Sequence, residues 1–216
     1  MKYLKKVNLA IMFLLFISIS FFSACSDDNT LENLNDDITL EALNNIDLTQ
    51  ADKDAMLFML EEEKLARDTY KYLYDLWEIN MFTNIKNSEQ SHMNAVESLL
   101  ILNNVAYAIL PEGQFANQDL QNLYNQFVDD GKVNEANALQ IGATIEDLDI
   151  VDLQDNINET ANTAIIAVFE SLQCGSRNHL RSFVSAIENI GNDYVPQFLT
   201  QEEYNLIINN SHEQCN

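Results

Sequence analysis

From residue 50 onward, apolar and polar positions recur at alternating steps of three and four, over segments long enough for helices and too long for strands. The first helix opens at Leu48-Thr49-Gln50-Ala51-Asp52, where Thr49 is an N-cap followed by an acidic turn, and its pattern predicts a helix to about residue 76. A second helix is predicted over 83–102. The link through Glu78, Ile79 and Asn80 is so short that these two must be antiparallel neighbours. Two more long helices are predicted over 134–153 and 160–190, the last ended by Gly191. Between the second and third lie Pro111, Gly113 and a short helix over 118–130 stopped by Gly131; Thr200, with Glu203 three residues on, opens a terminal helix through 208.

Only two prolines and five glycines interrupt 216 residues, which favours long helices in one all-α domain over 49–210. A connection as long as that between the second and third helices crosses the length of a bundle and lets those two run parallel. Two antiparallel pairs joined by one long crossover make the ferritin-like form of a four-helix bundle, here with a short C-terminal helix.

Polar residues on the inward seams carry the candidate chemistry, because a buried polar group must be paired or ligated. The first seam reads Met56, Leu60, Glu63, Tyr70, Leu73 and Trp77; the second reads Ile85, Glu89, His92, Val96 and Leu99. The third reads Ala136, Leu139, Ala143, Glu146, Ile150 and Leu153; the fourth reads Ile165, Val168, Leu172, Ser176, His179, Phe183 and Ala186. Each helix thus offers an inward ligand, and the second offers Glu and His at i, i+3, the pattern of di-metal carboxylate bundles. Carboxylate oxygen with imidazole nitrogen suits iron or manganese. Glu62 competes with Glu63, since the neighbouring phase through Leu65, Thr69, Leu73 and Leu76 is also apolar. Arg67, Tyr70, Asp149 and Arg181 are candidates for supporting the ligands, and are equally explained as packing or surface residues. Singly, each inward residue has an ordinary explanation as a solvated glutamate or a hydrogen-bonded core histidine. Their joint placement on four seams favours the metal.

The N-terminus changes the setting. Lys2, Lys5 and Lys6 precede an apolar run over 9–22 that is short for a membrane span, and Phe22-Ser23-Ala24-Cys25 follows. These four residues resemble the lipobox of bacterial lipoproteins, with Phe22 where Leu is commoner. The resemblance implies cleavage after residue 24, lipid on Cys25, an acidic tether over 25–48 and a place in the bacterial cell envelope, attached to the membrane through its acyl chains. Loss of residues 1–24 leaves eight basic residues against 34 acidic ones, a formal charge of −26, which excludes nucleic acid as a natural partner. Cys174 and Cys215 stand apart from Cys25, and whether they bond to each other is open.

Four segments carry a further resemblance: Glu61-Glu62-Glu63-Lys64-Leu65-Ala66-Arg67-Asp68, Ser88-Glu89-Gln90-Ser91-His92-Met93, Gly142-Ala143-Thr144-Ile145-Glu146 and Gly175-Ser176-Arg177-Asn178-His179-Leu180. The first, extended to Tyr70, looks like the opening helix of rubrerythrin-type proteins. Together the segments resemble a bacterial and archaeal family of ferritin-like domains without an established substrate. The resemblance implies a di-iron-type bundle with Glu63, Glu89, His92, Glu146 and His179 as ligands. One position departs from ferritins and rubrerythrins: Ser176 stands where the fourth helix carries the Glu of Glu-x-x-His. Asp149, one turn beyond Glu146, is the carboxylate placed to compensate.

The expected function is therefore an envelope-anchored metal-binding protein, in the first place a di-iron one, with ferroxidase or peroxide- or oxygen-reducing activity. The alternative is a non-enzymatic binding or stress module that uses the bundle as scaffold, and a weaker one is cation sequestration by the acidic surface. No phosphate loop, Cys-x-x-Cys, His-Glu-x-x-His or Gly-x-Ser-x-Gly occurs. Pairing of two copies as a homodimer is left open.

Overall fold

A computed structural model describes residues 48–215, and within them the fold is all-helical, with six helices and no strand. The expectations for Cys25 and for the signal and tether segments up to residue 47 lie outside the described residues. No helix among the described residues is long and apolar enough to cross a membrane.

The helices are α1 (Gln50–Trp77), α2 (Asn80–Leu102), α3 (Gln118–Gly131), α4 (Glu135–Glu159), α5 (Thr163–Asn189) and α6 (Gln201–Ile208). Thr49 and Asp52 form a capping box at the start of α1, and Thr200 with Glu203 does the same for α6. The α1–α2 link is tight because Glu78 adopts a left-handed conformation (φ 53°) and its N–H closes on the carbonyl of Tyr74 at 2.8 Å. The pairs α1–α2 and α4–α5 pack most extensively, and the pairs meet through α1 against α4 and α2 against α5.

One sequence expectation needs correction. The third long helix does not stop at 153 but runs six residues further, and α5 starts at Thr163. The polar stretch from Gln154 to Glu159 hides this extension from any reading of apolar periodicity. Its end is fixed from outside: Asn162 caps α5 through the N–H groups of Ala164 and Ile165, and Thr160 donates to the Asp52 carboxylate of α1. With these bounds Glu146 and His179 lie at comparable distances from the α4–α5 turn. Glu146 stands 13 residues before the end of α4 and His179 16 residues after the start of α5, so the two side chains meet at nearly the same level.

The crossover from α2 to α4 is strapped along α1. Lys64, fully buried, donates from Nζ to Asp68 (2.6 Å) and to the carbonyls of Pro111 (3.1 Å) and Gln114 (3.0 Å), and lies over the Phe115 ring. Asp68 accepts from the Gly113 N–H, and Glu61 accepts from the N–H groups of Ala116 and Asn117. At the far end Gly131 lies so close to Leu73 that a Cβ there would come within 2.7 Å of Leu73 Cδ2. The last segment is held by Asp147, whose carboxylate accepts from Tyr194 Oη and from the N–H groups of Gln197, Phe198 and Leu199.

The core falls into two apolar clusters. One contains Leu65, Tyr70, Leu73, Phe82, Ile85, Phe183 and Ile187; the other contains Met56, Met59, Leu60, Met93, Val96, Leu153, Ile165, Phe169 and Leu172. On α5 the buried stripe includes Phe169 and Ile187, while the predicted Val168 and Ala186 are half-buried beside it. Between the two clusters, at mid-height of the long helices, the interior turns polar.

Candidate metal centre

At that level each long helix contributes inward side chains, because each apolar seam is broken there by a polar residue. Glu63 comes from α1, Glu89 and His92 from α2, Glu146 from α4 and His179 from α5; the three carboxylates are buried and the two imidazoles nearly so. His92 Nδ1 lies 3.2 Å from Glu63 Oε2 and 2.8 Å from Glu89 Oε2. His179 Nδ1 lies 2.9 Å from Glu89 Oε1 and 3.4 Å from Glu146 Oε2. The two oxygens of Glu89 thus face two different imidazoles, whose rings stack 5.7 Å apart. Two triads share this carboxylate: Glu63, Glu89 and His92 on one side, Glu89, Glu146 and His179 on the other, each with donor atoms within 4.8 Å of one another.

All five residues singled out on the seams therefore converge. Of the three consecutive glutamates, Glu63 enters this cage, Glu61 holds the crossover, and Glu62 is buried outside the two triads, facing Asp152 and Asp149 of α4. Asp149 is buried beside Ser176, which donates its hydroxyl proton to one carboxylate oxygen; the other oxygen has no hydrogen-bond donor. Asp149 lies within reach of the charges of Glu63, Glu146 and Glu89, though it belongs to neither triad. Tyr70 is an established neighbour, donating to Glu146 Oε1 at 2.5 Å while its ring packs on Phe82 and Phe183. The two arginines are not neighbours of the cage by hydrogen bonding. Arg67 binds Asp68 and Gln90, and Arg181 binds Glu213, Asn178 and the carbonyl of Ile207.

Sequence reasoning passed over the glycine beside the cage. A Cβ at Gly175 would stand 2.7 Å from His92 Nε2, and a Cβ at Gly142 would run into the Phe183 ring. Glycine inside a helix is unfavourable, so its presence at mid-helix was the available signal of a close approach. The cysteines pair: Cys174 and Cys215 form a disulfide that, with Arg177 and Arg181 gripping Glu213, ties the C-terminal residues to the outer face of α5.

Burial and mutual repulsion govern the protonation of the cage. Burial lifts Glu63 to about 8 against the opposing pull of His92. Burial also acts on Glu89, but the His179 and His92 charges outweigh it and hold that carboxyl well below the ordinary range. For His179, burial disfavours the charge, yet Glu89 and Glu146 push its pKa up to about 10, and His92 is raised in the same way by Glu63 and Glu89. Burial, reinforced by neighbouring carboxylates, raises Glu62 and Asp149 strongly.

The donor set fits a pair of metal ions. Glu63 Oε1 and Asp149 Oδ1 are buried with no hydrogen-bond partner, which costs free energy unless something else satisfies them, while Glu89 Oε1 and His179 Nδ1 meet in an ion-pair contact at 2.9 Å. The imidazole-to-carboxylate separations run from 2.8 to 3.4 Å, so the same donor atoms could hold either cations or one another.

Comparison with known proteins places the chain in a wider set. The sequence profile of a family described as "Uncharacterized protein domain (DUF2202)" matches residues 52–211. The chain is 45% identical over 169 residues to the uncharacterized protein MJ0754 of Methanocaldococcus jannaschii, a match covering 77% of this chain and 91% of that protein. The crystal structure of the hypothetical protein MJ0754 superposes with a TM-score of 0.75 at 46% identity, covering 76% of this chain and 95% of that one.

Proposed function

The chain belongs to the DUF2202 family, and from that premise we propose that it is a ferritin-like, envelope-anchored protein whose four long helices hold a pair of metal ions, iron first and manganese second. The observation that carries the proposal is the sharing of Glu89: one carboxylate faces two imidazoles and completes two three-residue triads. Glu63, His92 and one oxygen of Glu89 would hold one ion; Glu146, His179 and the other oxygen of Glu89 would hold the second. Bound iron would supply one-electron chemistry towards oxygen or peroxide, consistent with ferroxidase or peroxide-reducing activity.

The chain's own residues set the conditions for that chemistry. The two apolar clusters above and below the cage exclude bulk water and strengthen every charge interaction inside it. Tyr70 fixes one oxygen of Glu146 and leaves the other turned to His179. Ser176 orients Asp149 in place of the carboxylate that ferritins carry on their fourth helix. The lipid on Cys25 would hold this bundle in the oxidising envelope, where the Cys174–Cys215 bond is also at home.

The short imidazole-to-carboxylate distances also favour a second reading, in which the cage is a closed ion-pair network inside a metal-free scaffold. The two separate by experiment. The purified protein is expected to hold near-stoichiometric metal by elemental analysis, to lose it in the Glu89→Ala, His92→Ala double variant, and to lose thermal stability on chelation. Unchanged metal content in that variant overturns the metal reading.

A further inference from the structure

Beyond the shared cage, α1 and α4 bury a second set of carboxylates. Glu62 is 2% exposed; no N–H or hydroxyl donor reaches its oxygens, and its hydrogen-bonding neighbour is the carboxyl of Asp152. The ionisable groups that act on it, Asp152, Asp149 and Glu63, are all carboxyls. On α4 the acids recur every third residue, Glu146, Asp149 and Asp152, and they become less buried outward: Glu146 2%, Asp149 5%, Asp152 half-buried. The series leads from solvent to the cage, with Glu62 facing its outer half.

Carboxyl groups buried against one another must share protons or meet a cation, because ionising them together with nothing positive nearby is costly. We propose that Glu62 and Asp152, backed by Asp149, form a transfer site through which a divalent cation reaches the cage. The inference rests on the reading of the cage as a metal centre. Only carboxylate oxygens line the transfer site, so it admits hard or borderline cations such as Fe(II) and Mn(II) before any imidazole is met. Two carboxylates and water hold an ion less firmly than a triad with imidazole, and weak holding is what passage requires. The surplus of acidic residues over the chain would raise the local concentration of such ions at the mouth of the site.

The test uses the full chain, with Mn(II) titration and anaerobic stopped-flow loading of Fe(II). The wild type is expected to show a tight and a weak class of Mn(II) site. The double variant Glu62→Gln, Asp152→Asn should lose the weak class and load Fe(II) at least tenfold more slowly, while reaching the same final metal content. The variant Glu89→Ala, His92→Ala should lose the tight class and keep the weak one. If the weak class is absent from the wild type, as when Glu62 and Asp152 merely share a proton, the transfer site is overturned; so too if it survives the double variant or the loading rate is unchanged. Absence of the tight class from the wild type instead overturns the metal centre itself. Should the double variant fold poorly, Asp152→Asn alone, at a half-buried position, gives the same decision through the loading rate.

Discussion

Gly175 of α5 has nothing but hydrogen between its Cα and the imidazole of His92 on α2: a methyl group there would stand 2.7 Å from Nε2 and 2.8 Å from Cε1. Two effects therefore oppose each other in Gly175→Ala. Helix propensity favours alanine by about 1 kcal/mol, while His92 must turn away from Glu63 and Glu89 to admit the methyl group. The fold is expected to survive and the triad of Glu63, Glu89 and His92 to lose at least tenfold in metal affinity, with the Glu146–His179 side less affected. Calorimetric titration with Mn(II) measures both.

Tyr70→Phe keeps the ring between Phe82 and Phe183 and removes only the donor to Glu146. A hydrogen bond to a charged group contributes about 1.5 to 3 kcal/mol. Denaturant unfolding of the metal-free variant should show a loss in that range, and a smaller loss in the loaded protein, where a cation takes over part of the compensation. Equal losses in both states would contradict a metal beside Glu146.

In the metal-free protein Glu63 and His179 both bind protons more tightly folded than unfolded, with folded values of about 8 and about 10. Their contribution to stability is present at low pH, below the unfolded values, and is lost as pH rises through about 8 and about 10. Glu89, held low by the imidazoles, works in the opposite sense and matters only in acid. The melting temperature of metal-free protein should therefore fall between pH 6.5 and pH 10 by scanning calorimetry, and metal loading at pH 7 should release protons into unbuffered solution. A flat profile would speak against a cage protonated in this way.

The Cys174–Cys215 bond closes a loop over a separation of 41 residues, for which chain entropy gives up to about 4 kcal/mol. Cys215→Ser and Cys174→Ser should each lower the melting temperature by similar amounts, and the double variant by no more than either. Metal content should be unchanged, since the bond ties the tail to the outer face of α5. Limited proteolysis near residue 213 would report the released segment.

Much of this was readable along the chain, because burial in a helical bundle writes a period that any breaking residue interrupts. Glu89, His92, Glu146 and His179 each stood out as polar on an apolar seam, Glu63 did so in competition with Glu62, and four long helices with a crossover followed from spacing and breakers. The polar end of α4 was not readable, because Asn162 and the Thr160 contact to Asp52 set the helix end there, after apolar periodicity has stopped. Nor was the division of labour among Glu61, Glu62 and Glu63. Successive helical residues turn by 100°, so one step decides between holding the crossover, facing Asp152 and entering the cage, and three adjacent glutamates carry no mark of which is which. The sequence by itself determined which helices form and which side chains lie inward. Only the tertiary structure decided that Glu89 is shared between two imidazoles, that Asp149 leans on Ser176, and that Gly175 leaves His92 its place. Those relationships join residues of different helices, and distances across an interface depend on how whole helices pack.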